Sequence, residues 1–556
     1  MNNKKNEITR IIQLAYQNHT KNNFDLAESL YKKILKLDKN NVDANYLLGT
    51  LLLQKRSFDE AIKTLNQALE INKNHIHAMH NLAYAFSETG KFSEAEKLLF
   101  EVISKQPKHL EAYYNLGNVY KNLGKFNEAE DAYKKSISIN PNNAKAYNNL
   151  GNILKDLGKL NEAMKAYNKA IELQFNHSRA YHNLGNTYKQ IGNFTKAKEC
   201  YENSYKYEPS NLETLFTLSE LDEKILNLKL KEKIKKIMEN KKISGKDYAY
   251  GNFLLSKYEF KNKNFESEFK YLIKGHYNYF EFHKKKYEKG VDYWLNKLPE
   301  NEEIIKIDEN NNIKIEENEN IKPIFIIGTP RCGSTLIEKI IISGEKEISS
   351  GEEAAVISHV MGRKILSNEK IYSNISEIRK EIIEKFNQKK LLNKKNDNIF
   401  TDKSLDNFFF IGLIKKIFPS AKVIHCKRNY LSSIMSIIKN NLGDVTWAHK
   451  LEHIFKYFDI YYKKINYYKK MYPDFIFELE LETFVNNPEI ESKKLMKYCE
   501  LPWSKKCLEF YKRKDLTSRT ASNIQIRQPI YKNSIEKHNP YKQFLDSYGK
   551  KYDWYL

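Results

Sequence analysis

Residues 324–336 read IFIIGTPRCGSTL, and their order poses a chemical question. Four apolar residues, Ile324 to Ile327, run into Gly328, and four residues later Gly333, Ser334 and Thr335 open a second apolar run. The spacing is nearly that of the phosphate loop G-x-x-x-x-G-K-[ST], which joins a strand to a helix and cradles phosphate oxygens with backbone N–H groups. The lysine slot, however, holds Ser334, and an arginine stands earlier, at Arg331. The loop therefore predicts a phosphorylated ligand that wants the anion cradle without that lysine.

The elements that must carry this loop are legible downstream. A helix through TLIEKIIIS follows, then strands at NIFT, KVIHCKR and FIFELE, with helical segments between them. Apolar strands alternating with helices predict a parallel sheet covered on both faces, an α/β P-loop-like domain over residues 323–556. The loop then sits at a helix N-terminus, where free N–H groups and the helix dipole attract anions. His425 alternates with apolar residues on its strand and reads as packed, and Cys507 in WSKKCLEFY also reads as packed. The aromatic segment 446–472 reads as a helix with one core face and one solvated face.

PIFIIGTPRCGSTL resembles the 5′-phosphosulfate loop of the sulfotransferases, above all the tyrosylprotein sulfotransferase branch with its P-R-S-G-T-T. The resemblance implies 3′-phosphoadenosine-5′-phosphosulfate (PAPS) as co-substrate, held by Arg331, Cys332, Gly333, Ser334 and Thr335. One 5′-phosphate and a singly charged sulfuryl group carry less charge than the β- and γ-phosphates that a kinase lysine handles with magnesium. No metal is expected. Further segments match in order: SSGEEAAV resembles the family's G-E-E-T and implies Glu353 as catalytic base, ahead of His359. FTDKSLDN resembles N-K-D-P and implies Lys403 as the lysine that assists transfer. KVIHCKRNYLSSIMS resembles the 3′-phosphate site and implies Arg428 and Ser436. ASNIQIRQPIYKNSIEK resembles the closing loop and implies a transition-state role for Ser522 and donor contacts from Gln525, Pro529 and Lys537. Two positions depart from the family: a second 3′-site arginine falls at Asn440, with Lys439 as a substitute one residue earlier, and an adenosine-side tyrosine falls at Leu481.

The first half has a period of 34. NFDLA, SFDEA, KFSEA, KFNEA, KLNEA and NFTKA place alanines at 27, 61, 95, 129, 163 and 197, while Leu-Gly recurs at Leu48-Gly49, Leu116-Gly117, Leu150-Gly151 and Leu184-Gly185. This is similar to the tetratricopeptide repeat over residues 8–222, and predicts paired helices stacked into an all-α superhelix. Small residues at the Gly and Ala slots let paired helices approach closely, and Phe24, Phe58, Phe92, Phe126 and Phe194 read as core. Asn81, Asn115, Asn149 and Asn183 form a row at the same period, and Asn118, Asn152 and Asn186 follow the glycine. The row resembles the asparagines with which peptide-reading arrays grip a peptide backbone, and it reads equally as a solvated consensus feature. Residues 223–300 read as degenerate repeats or a cap, and 301–322, acidic and Asn-rich, as a linker.

Of 556 residues, 93 are Lys or Arg and 70 are Asp or Glu, a formal charge of +23. The basic residues are dispersed, so nucleic acid is not expected as a partner. Five scattered cysteines form no C-x-x-C pair and read as free thiols in a reducing compartment. The start lacks a signal-peptide pattern, and no run reaches the ~18 apolar residues of a membrane span. A cytoplasmic sulfotransferase acting on a hydroxyl, a protein or peptide tyrosine, is the expectation; a homo-oligomer is compatible with it. The alternatives are a small phenol, sugar or lipid acceptor, or a non-catalytic repeat scaffold. A P-loop kinase is disfavoured by the missing lysine.

Overall fold

The computed structural model describes residues 2–240, 242–309, 321–393, 398–513, 525–530 and 539–555. The chain divides into two compact units, residues 1–187 with 199–207 and residues 188–198 with 208–556.

The first unit is helical throughout. After Asn2–Thr20, helices recur in pairs, such as Leu110–Asn122 with Phe126–Ile139 and Ala144–Asp156 with Leu160–Leu173. The turn inside each pair needs a left-handed residue, supplied by Gly90, Gly124 and Gly158 at φ 81°, 72° and 78°. The alanines of the 34-residue period, Ala27, Ala61, Ala95, Ala129 and Ala163, are fully buried. The Leu-Gly slot has an equally direct cause. A Cβ on Gly117 would lie 2.7 Å from Tyr133, on Gly151 2.6 Å from Tyr167, and on Gly185 2.7 Å from Tyr201. Each of those buried tyrosines donates its hydroxyl to the asparagine after the glycine: Tyr133 to Asn118 at 2.6 Å, Tyr167 to Asn152 at 2.8 Å, Tyr201 to Asn186 at 2.7 Å. Where the facing residue is Leu65, the residue after Gly49 is Thr50. Asparagine appears where a buried hydroxyl needs an acceptor.

The asparagine row is also engaged within the array. Asn81 donates to Thr50 at 2.9 Å, Asn149 to Tyr114 at 3.0 Å and Asn183 to Asn148 at 3.0 Å, while Asn115 lies 2.9 Å from His80 Nε2. Each bond reaches back into the preceding repeat. The side chains are half-buried, so they are inter-repeat ties and not a freely solvated row.

The second unit carries the sheet. Among the described residues five strands, β1 (Lys322–Gly328), β2 (Ser349–Ser350), β3 (Ile399–Asp402), β4 (Lys422–Lys427) and β5 (Ile476–Glu480), run parallel in the order β2-β3-β1-β4-β5. β1 is central, with Ile324, Phe325, Ile326 and Ile327 at most 2% exposed, as a strand covered on both faces requires. Its Ile326 shares a core with Ile337, Ile340 and Ile341 of the helix Ser334–Ile342. His425 on β4 is buried against Tyr461, and Cys507 is buried beside Gly344.

Helices N-terminal to β1 belong to this unit. Gly245–Lys261 and Phe265–Phe282 form a hairpin in which Gly275 admits the Phe253 ring. Glu268 accepts from Tyr541 at 2.6 Å, and His276 meets His449 at 3.0 Å and the Ile438 carbonyl at 2.7 Å. The hairpin thus builds one wall of the α/β domain. The stretch read as linker from residue 301 corrects in part: Glu302–Glu309 is a helix with Ile304, Ile307 and Asp308 buried, the carboxylate of Asp308 bonded to Tyr468. Its acidic composition hid an apolar stripe at i and i+3.

Candidate active site

Each strand end delivers one part of a cavity of about 710 Å³. After β1 the chain turns through Arg331 (φ 70°) and Gly333 (φ 95°) into the helix Ser334–Ile342. Gly333 is required twice, by its φ and because a Cβ there would lie 2.7 Å from Leu481. Arg331, Gly333, Ser334 and Thr335 line the cavity. Cys332 does not. Its N–H donates to the Thr329 carbonyl at 3.2 Å and its side chain is 1% exposed, turned inward. The hydrogen bond with Cys426 lowers the Cys332 thiol below its ordinary value and raises Cys426. The expectation of a donor contact from Cys332 is therefore corrected: the side chain is part of the loop's packing.

After β4 come Arg428 and the helix Tyr430–Lys439. Arg331 Nε donates to Ser436 Oγ at 3.0 Å, and Arg428 Nη1 donates to the Arg331 carbonyl at 2.8 Å. Arg331, Arg428 and Ser436, 105 residues apart at their extremes, meet on the cavity wall. Lys439 does not substitute for an arginine there. Its ammonium lies 3.1 Å from Glu268 and 2.8 Å from the Tyr541 hydroxyl, and it is absent from the cavity wall. Asn440 donates to the Ser436 carbonyl at 2.7 Å.

Glu353 sits on a tight turn that leaves β2. A Cβ on Gly351 would lie 2.2 Å from the Thr401 carbonyl, and Glu352 and Ala355 adopt φ 46° and 51°. The turn is held by Gly351 N–H to Thr401 at 2.9 Å, Lys403 N–H to the Glu352 carbonyl at 2.7 Å, and Ala355 N–H to Ser404 Oγ at 2.7 Å. Lys403 Nζ lies 3.0 Å from Glu353 Oε1. Burial lowers the Lys403 pKa, but the carboxylates of Glu353, Glu338 and Glu352 outweigh it, so the net direction is upward and Lys403 is a cation. His359 is exposed on the helix Val356–Leu366 and does not line the cavity.

Gln525 and Pro529 also line the cavity. Ser522 and Lys537 lie outside the described residues.

Two sets of site residues, one behind the wall and one on it, escape the motif reading. Glu338 is fully buried and accepts from Glu352 N–H at 3.0 Å, Thr401 Oγ1 at 2.9 Å and Ser350 Oγ at 3.1 Å, with Lys339 3.5 Å from both Glu338 and Glu352. This pair anchors the Glu353 turn; its signal was two charges inside the apolar run TLIEKIII. Trp294, Trp447 and Tyr457 form an aromatic wall, the last two stacked at 3.7 Å and 14°. Nothing local in sequence separates such residues from core.

The two regions of the chain match different family models. Residues 323–505 match the sulfotransferase family model, and residues 9–241 match the tetratricopeptide C-terminal domain of cilia and flagella-associated protein 70. An uncharacterized protein of Aquifex aeolicus (strain VF5) is 31% identical over 241 residues, 40% of this chain and 31% of that protein, so the chain spans about a third of the relative's length. Among solved structures, a MamA crystal structure is 32% identical over 29% of this chain and 94% of that one, with a TM-score of 0.28. Pseudomonas aeruginosa pilF is 19% identical over 39% and 99%, with a TM-score of 0.35. Residues 323–505 are thus similar to the sulfotransferase family, and residues 9–241 to a tetratricopeptide-like repeat domain.

Proposed function

We propose that the protein transfers a sulfuryl group from PAPS to a hydroxyl acceptor, a tyrosine or related phenol. The observation that carries this is the convergence of Arg331, Arg428, Ser436, the Gly333–Thr335 helix start and Glu353 on one cavity. The helix N-terminus and Arg331 suit the 5′-phosphosulfate, and Arg428 with Ser436 suits the 3′-phosphate. In the transfer, the acceptor oxygen attacks sulfur as the bond from sulfur to the bridging oxygen breaks. The acceptor proton passes to the Glu353 carboxylate, and the bridging oxygen leaves on adenosine 3′,5′-bisphosphate. Arg331 and Ser522 stabilise charge that grows on the sulfuryl group and leaving oxygen, and Lys403, buried behind the wall, assists transfer through its contact with Glu353. Gln525, Pro529 and Lys537 complete the donor site. The repeats serve protein interaction, with delivery of a peptide acceptor as one use.

Calorimetry tests the donor assignment. PAPS and adenosine 3′,5′-bisphosphate should bind far better than adenosine 5′-phosphosulfate, and chelator should not weaken them. Equal affinity for all three would remove Arg428 and Ser436 from the 3′-phosphate.

A further inference from the structure

The cavity wall falls into two chemically different groups. Its only basic members among the described residues are Arg331 and Arg428, both joined to the Ser436 cluster. Elsewhere the wall combines the Trp447–Tyr457 stack and Trp294 with two further carboxylates, Asp406 and Asp444. Asp406 lies within electrostatic reach of both Glu353 and Tyr457, and Asp444 stands exposed on the rim. Around Glu353 the cations are Lys339 and Lys403, against the carboxylates Glu338, Glu352, Glu353 and Asp406. Lys339, Lys403, Glu338 and Glu352 do not line the cavity; its own acidic groups are Glu353, Asp444 and Asp406, whose pKa burial raises. Flat aromatic walls favour a ring over an extended chain, and a carboxylate beside that ring would meet like charge, the basic wall residues among those described, Arg331 and Arg428, being held in the Ser436 cluster.

We propose that the acceptor is a cationic phenol, an aromatic hydroxyl whose neighbouring group is an ammonium or guanidinium facing Asp406 and Asp444. The inference rests on the sulfuryl-transfer reading of the same cavity. A small amine and a peptide tyrosine flanked by lysine or arginine share this chemistry.

The test uses the full chain with PAPS and three phenols of one shape: tyramine, tyrosol and 4-hydroxyphenylacetate. Expected kcat/KM falls in that order, with tyramine ahead of the carboxylate by about tenfold or more. Asp406→Asn with Asp444→Asn should shrink the ratio several-fold. Asp444→Asn alone, at an exposed position, should shrink it part-way and keeps the test open if the double variant misfolds. Equal rates, a preference for the carboxylate, or a ratio unchanged in the variants would overturn the inference. Calorimetry with adenosine 3′,5′-bisphosphate on the same samples separates the causes: normal binding with a failed ratio sinks only the acceptor class, and absent binding sinks the transfer reading and this inference with it. Peptides with Lys-Tyr-Lys and Glu-Tyr-Glu centres then distinguish the sources. A Lys-flanked peptide that outruns tyramine assigns the cation to a protein acceptor, tyramine alone to a small amine, and faster turnover of the Glu-flanked peptide overturns the proposal.

Discussion

Lys403 Nζ and Glu353 Oε1 lie 3.0 Å apart, joining a side chain 1% exposed to one 59% exposed. The pair is asymmetric. Lys403 is fixed beneath the turn, while the Glu353 carboxylate reaches the cavity and solvent and is free to meet an acceptor proton.

Glu353→Gln should therefore keep the melting temperature and donor affinity and lose about 10²–10⁴-fold in turnover. Lys403→Ala removes a buried cation from among carboxylates, and should cost about 3–5 kcal/mol of stability as well as turnover. Denaturation curves and steady-state rates on both variants separate the two effects. An active Glu353→Gln beside a dead His359→Ala would move the base to His359.

Much of this site is legible in sequence because strand ends and helix starts are local. The loop 328–335 announces itself by Gly, Arg and hydroxyl spacing, and Gly351-Glu352-Glu353 by its resemblance to the family's G-E-E-T. Long-range pairing is not local, which is why Trp294 and Trp447 do not stand out in the sequence and Lys439 reads as a substitute cation. The asparagine row is the plainest case. Its period was evident, but only the stacking of repeats reveals that Asn149 answers Tyr114 and Asn183 answers Asn148.

The row consequently predicts a stability effect. Changing Asn115, Asn149 and Asn183 together to Ala removes inter-repeat bonds worth ~1 kcal/mol each, so the repeats should lose about 3 kcal/mol in chemical denaturation. An unchanged midpoint would return the row to the solvated reading.

Gly151 and Tyr167 should behave as one unit. Gly151→Ala forces a Cβ to within 2.6 Å of the Tyr167 ring and should cost about 1–3 kcal/mol. Tyr167→Leu should recover part of that cost, because the repeat with Ala83 at this slot carries Leu99 sixteen residues on. Additive losses in the double-mutant cycle would show that the two do not touch.

Burial between the hairpin and the helical turn Thr446–His449 pushes His276 down to about 4, against partial support from the Ile438 carbonyl, and His449 to about 2. An unfolded chain binds protons near pH 6.5 that these imidazoles refuse, so their stability is intact above that pH and falls as the pH drops toward 4. His276 alone accounts for roughly 3 kcal/mol across that window. Melting temperatures at pH 7.5 and 5 should differ, and His276→Gln should flatten the difference. A slope equal to the parent's would assign the loss to other groups.

The central claim is transfer. It is tested most directly by mixing the protein with PAPS labelled at sulfur and a phenol acceptor, then following both products. The account predicts that label enters the acceptor in step with release of adenosine 3′,5′-bisphosphate, and that Glu353→Gln slows both by about 10²-fold or more while still binding the bisphosphate. Tight binding of the bisphosphate with no labelled acceptor, or transfer undiminished in Glu353→Gln, would contradict it.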